Sequence, residues 1–161
     1  MPAAVCAKFD MYYQKLTKFE IAEQQLFQAV ELYLAGNHLV SAVTLAGAAE
    51  EILGELVRRR GGKTALDEKV EVLCKMFEFA FKKSANPKDF INLRNNARNE
   101  LKHIRTADFI ELDLEEEAVK LLDRAISNYK KLKPGPTKKC NEFKNERVRR
   151  YRQRVNEIEK I

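Results

Sequence analysis

The chain has 161 residues, with 30 Lys and Arg against 24 Asp and Glu, and no Trp. That length suits one domain whose core buries most of its apolar surface. A charged share of 34%, only 6 Gly and 4 Pro, and the lack of alternating Val/Ile/Thr runs exclude a strand-rich architecture and predict an all-α protein.

The first predicted helix runs from Lys8 to Ala35, with Tyr12, Leu16, Phe19, Leu26, Val30 and Tyr33 at helical spacing. Gly36-Asn37 ends it, because both residues tolerate a left-handed backbone. The second spans His38 to Arg60 and is apolar around much of its girth, which marks a central, buried helix. Its "AGAAEE" segment is rich in small residues and permits close approach of another helix. Within it, Glu50 sits among Val43, Ala46, Leu53 and Val57, a carboxylate in want of a cation.

Thr64 with Asp67 resembles a capping box and opens the third helix, with Leu66, Val70, Leu73, Phe77 and Ala80 as its buried stripe. Asn86 as N-cap and Pro87 at the first helical position open the fourth, whose apolar face is Phe90, Leu93, Ala97, Leu101 and Ile104. A break near Thr106-Ala107 leads to Asp113, which caps a fifth helix burying Leu114, Ala118, Leu121, Leu122, Ala125, Tyr129 and Leu132. "KPGP" at 133–136 is a breaker. A last helical stretch carries Val148, Tyr151, Val155 and Ile158 as a short seam, with arginines on its other faces. The fold expected is an up-and-down bundle of about five helices over 1–133, followed by the breaker and a basic amphipathic helix over 134–161.

The charge is uneven. Residues 137–161 hold 9 Lys and Arg against 4 Asp and Glu, and the rest of the chain is nearly neutral. Attraction for an acidic partner is therefore concentrated at the C-terminus. That helix either follows an RNA backbone or packs by its seam on the bundle or on a partner. Three scattered cysteines (Cys6, Cys74, Cys140) form no CxxC pair, which argues against a disulfide framework or a zinc site. No metal and no cofactor is assigned. With no signal-peptide pattern at the N-terminus and no apolar run of membrane length, a cytoplasmic protein without a membrane span is expected.

The stretch "NNARNELKH", residues 95–103, carries the candidate chemistry. On a helical wheel, Asn92, Asn96, Asn99 and His103 form one stripe, and Arg94, Arg98 and Arg105 another. The apolar face lies between them, and Arg98 and His103 stand about 140° apart. One unbroken helix cannot aim both at one phosphate. Either the helix ends near Lys102 and His103 swings round, or Arg98 of one chain meets His103 of a second. A purely structural reading pairs Arg98 with a carboxylate such as Glu50 and lets His103 end a helix.

"RNELKH" resembles the signature of the HEPN domain (higher eukaryotes and prokaryotes nucleotide-binding): Arg, a polar residue, a short spacer, then His. Arg98, Asn99 and His103 match it, and the similarity in helix order covers about residues 8–132. The resemblance implies an all-α homodimer. Many members are metal-independent endoribonucleases, often toxins or defence factors. Other members are non-catalytic binding or interaction modules. It also implies an RNA or nucleotide ligand and a nucleotidyltransferase-type antitoxin as partner. Cleavage of RNA without a metal needs a proton-transfer group with a pKa near 7, which His103 supplies. It also needs a fixed, forked cation for the charge on phosphorus, which Arg98 supplies. Asn99 is placed to bond a phosphate oxygen or orient His103. Arg94, Lys102 and Arg105 are candidate RNA- or phosphate-binding residues, with Glu50 in support.

Overall fold

The structure is a computed structural model that describes residues 13–101 and 109–159. It is all-α, with six helices and no strand among the described residues: α1 (Lys18–Ala35), α2 (Leu39–Arg59), α3 (Ala65–Phe81), α4 (Pro87–Glu100), α5 (Leu114–Leu132) and α6 (Lys138–Ile158). The helical-bundle expectation holds.

The core lies between α1, α2, α5 and α6. Leu26, Val30 and Tyr33 meet Val43, Ala46 and Leu53 of α2, Leu121 and Leu122 of α5, and Cys140 and Phe143 of α6. Tyr33 and Phe143 meet edge to face, their ring centroids 5.2 Å apart. None of the described helices is long and apolar enough to cross a membrane.

Helix α1 begins at Lys18 instead of Lys8. The reason is a capping box absent from the sequence reading: Thr17 Oγ1 accepts from Glu20 N at 3.1 Å, and Glu20 Oε2 accepts from Thr17 N at 2.7 Å. Leu16 therefore falls before the helix and is exposed; residues 8–12 of the expected helix lie outside the described residues. The predicted caps of α3, α4 and α5 are present. Thr64 and Asp67 form the capping box, Asn86 Oδ1 accepts from Lys88 N at 3.1 Å, and Asp113 Oδ1 accepts from Glu116 N at 2.9 Å. The break expected near Thr106-Ala107 lies outside the described residues.

Helix α3 departs from its expected stripe. Leu66 and Val70 are buried, Leu73 and Phe77 are half-buried, and Ala80 is exposed. Only the first half of α3 packs on the bundle. The second half rests on α4, where Phe77 meets Phe90 with centroids 6.1 Å apart. Leu93 of the expected α4 apolar face is likewise exposed.

The basic C-terminal stretch is docked by Cys140 and Phe143. Arg150 ties it to the end of α1: Nη2 donates to the Tyr33 carbonyl at 2.9 Å and to that of Leu34 at 3.3 Å, and its guanidinium lies 4.5 Å from the Tyr33 ring centroid. A cation on the last carbonyls of a helix is favoured by the helix dipole. Val148, Tyr151 and Ile158 of the expected seam remain exposed.

Candidate functional site

The candidate site is built where α4 crosses α2 and meets α5. The small-residue segment of α2 does what its composition predicts. Gly47 is buried, and a Cβ added there would stand 2.7 Å from Arg98 Cδ and 2.9 Å from its Cγ. The glycine lets the Arg98 stem lie flat on α2. The side chain is consequently 13% exposed, with its guanidinium carried toward two carboxylates one residue apart. Arg98 Nη1 lies 3.7 Å from Glu50 Oε2 and 3.4 Å from Glu51 Oε2.

Glu50 is buried and has a second cation. Arg124 of α5, 2% exposed, places its Nε 3.6 Å from Glu50 Oε1. Its other nitrogens hold α4: Nη1 donates to the Arg94 carbonyl at 3.4 Å and Nη2 to Asn95 Oδ1 at 3.3 Å. One buried carboxylate is thus shared by two arginines from two helices. A buried charge tolerates this position only when it is paired. Burial pushes the Arg124 guanidinium below its ordinary value; Glu50 opposes that shift, while the nearby positive charges of Arg98 and Arg94 add to it. Lys69 of α3 is lowered as well, first by burial, with Asp123 opposing and Arg124 and Arg94 adding to the shift. Two arginines thus converge on one buried carboxylate. The Nε atoms of Arg98 and Arg124 are buried without a hydrogen-bond acceptor among the described residues.

The placement of the sequence-predicted residues is uneven. Arg98 and Glu50 are brought together. Arg94 and Asn99 are half-buried on the same helix. His103, Lys102 and Arg105 lie outside the described residues. Arg124 and Glu51 were not singled out by the sequence reading. Arg124 falls about 100° from Ala125 on the wheel, off the apolar stripe of its helix, and its guanidinium is met by Glu50 of α2 and by Arg94 and Asn95 of α4.

Four of the five arginines of α6 are engaged within the chain. Arg147 pairs with Asp123, Arg149 with Glu146, Arg150 with Glu146 and Glu115, and Arg154 with Glu115 and Asp113. These pairs neutralise much of the charge that would follow an RNA backbone. Burial pushes the Cys140 thiol up, which disfavours the thiolate and any nucleophilic role.

No protein-family model, curated protein or solved structure matches this chain.

Proposed function

We propose that the chain is a HEPN-like, metal-independent endoribonuclease of the cytoplasm, working as a homodimer with Arg98, Asn99 and His103 at its catalytic centre. Arg98 is the cation for the charge developing on phosphorus. His103 is the general acid and base for the 2′-oxygen and the leaving 5′-oxygen. Asn99 positions a phosphate oxygen or the imidazole, and Arg94, Lys102 and Arg105 hold flanking phosphates. His103 meets Arg98 either within one chain, where α4 ends at Glu100, or across the dimer from a second copy. A toxin or defence role fits this activity, with a nucleotidyltransferase-type antitoxin as its partner.

The observation that carries this reading is the placement of Arg98. A stem laid on Gly47 and a carboxylate fixed by Arg124 hold a guanidinium in one orientation beside other cations, as a preorganised transition-state cation must be held. The test is cleavage of RNA by purified protein. Arg98→Ala and His103→Ala are each expected to lower the rate by at least about a hundredfold. Parent-like cleavage by either variant removes the catalytic assignment.

One observation favours a second reading. Arg98 Nη1 faces carboxylates on α2, as in a non-catalytic module that binds RNA, nucleotide or protein and uses this junction to brace α4. Under that reading Arg98→Ala lowers stability, and the parent protein cuts no RNA.

A further inference from the structure

The two carboxylates on Arg98 are not equivalent. Glu50 is buried and its second oxygen faces Arg124 Nε at 3.6 Å, so it is fixed from two sides. The Glu51 side chain is 64% exposed, and among the described residues Arg98 is its one ion-pair partner, at 3.4 Å. Exposed pairs of this kind are weak and screened by salt. The arginine stem lies against Gly47, and its side chain is 13% exposed. Of the three groups, only Glu51 is free to leave.

We propose that Glu51 is a displaceable carboxylate that holds Arg98 in the free protein and gives it up to a phosphate oxyanion, while Glu50 and Arg124 keep the guanidinium in place. The incoming group is a phosphodiester of RNA or a free phosphate. Both present the oxyanion geometry that a guanidinium fork receives. Arg98 Nε, buried without an acceptor among the described residues, is a further donor on the same fork. Glu51 thereby sets affinity: it competes with the ligand for Arg98 and screens the site from other anions. The inference rests on Arg98 being the phosphate cation, but not on cleavage.

The test is titration of isotopically labelled protein with inorganic phosphate and, separately, with a 2′-deoxy oligonucleotide that cannot be cleaved, following the Nε–H resonance of Arg98. Glu51→Gln is expected to tighten binding roughly twofold to fivefold, the range set by loss of one exposed ion pair. Glu55→Gln is the control. It removes the same charge one turn further along α2, where Glu55 pairs with Arg59 at 3.0 Å, and should give a smaller change. In an Arg98→Ala background, where affinity is read from backbone amides of α4, the gain from Glu51→Gln should vanish. A response to phosphate alone identifies a free-anion site; a response only to the oligonucleotide identifies a phosphodiester site. Equal tightening by Glu51→Gln and Glu55→Gln, a gain that survives loss of Arg98, or no response to either probe overturns the proposal. If the probes bind as expected and RNA stays intact, the displaceable carboxylate stands and the nuclease reading fails.

Discussion

Gly47→Ala isolates the contact that places Arg98. The added methyl would stand 2.7 Å from Arg98 Cδ and 2.9 Å from Cγ, so the middle of the stem must move, not its mobile tip. Gly54, two turns along the same helix and also buried, is the matched control. Its added methyl would meet Asn128 Nδ2 at 3.4 Å and Thr64 Cγ2 at 3.5 Å, which is ordinary van der Waals contact. Both substitutions remove the same mid-helix glycine penalty of about 0.5–1 kcal/mol. Gly47→Ala alone adds an overpacking cost of about 1–3 kcal/mol, and it draws Nη1 away from Glu50. The expected net is a loss of about 1–2 kcal/mol for Gly47→Ala and a gain of up to about 1 kcal/mol for Gly54→Ala. In a chain of this size these become a fall of about 3–6 °C and a rise of up to about 4 °C in melting temperature. Thermal unfolding followed by circular dichroism reads both. In an Arg98→Ala background the obstacle is gone, and Gly47→Ala should become stabilising like its control. A comparable rise for both variants in the parent background, or a loss at Gly47 that persists without Arg98, refutes the close approach.

The shared carboxylate makes a second prediction. Glu50→Ala leaves Arg124 buried without its counter-charge and should cost about 3–5 kcal/mol, whereas Glu51→Ala should cost less than about 1 kcal/mol; urea unfolding separates the two, and equal losses would contradict the difference in burial. A third prediction concerns acid. Hydrogen bonds from Arg149 and then Arg150 lower the Glu146 carboxyl to about 2. A depressed folded-state pKa contributes stability above the ordinary glutamate value of about 4.3, and that stability is lost as pH falls through the folded value. Melting temperature should therefore drop between pH 4.5 and pH 2, and Glu146→Gln should flatten part of that drop. An unchanged slope in the variant would show that the pairs on α6 contribute nothing to acid stability.

Sequence revealed the helices because their signals are local. Thr64 with Asp67, Asn86-Pro87, and Asp113 with Glu116 each satisfy orphan amides within four residues, so chain order alone exposes them. The Thr17–Glu20 box is equally local, yet apolar periodicity running through Tyr12 and Leu16 masked it. Periodicity reports which residues could share a face, not where a cap halts the helix. The stripe of α3 shows the same limit from the other side. Its spacing is helical throughout, but burial depends on what lies opposite, and beyond Val70 the bundle no longer covers it.

The site was legible only in half. Glu50 announced itself as a carboxylate among apolar neighbours, and Arg98 as one of its possible counter-charges. Arg124 could not be found this way, because its burial is a property of neighbours on α2 and α4 and not of its own helix. Its presence changes what the motif arginine can do. Were Glu50 paired with Arg98 alone, removing either partner would strand the other, and the pair would be a brace. With Arg124 on the second oxygen, Glu50 remains compensated while Arg98, still beside it, takes an anion in place of Glu51. A buried carboxylate with two cations can share one of them with an incoming anion. Under the function proposed above, that arithmetic of charge permits an arginine paired with carboxylates in the free chain to serve as a phosphate ligand, with Arg124 as well as Glu50 holding the site together.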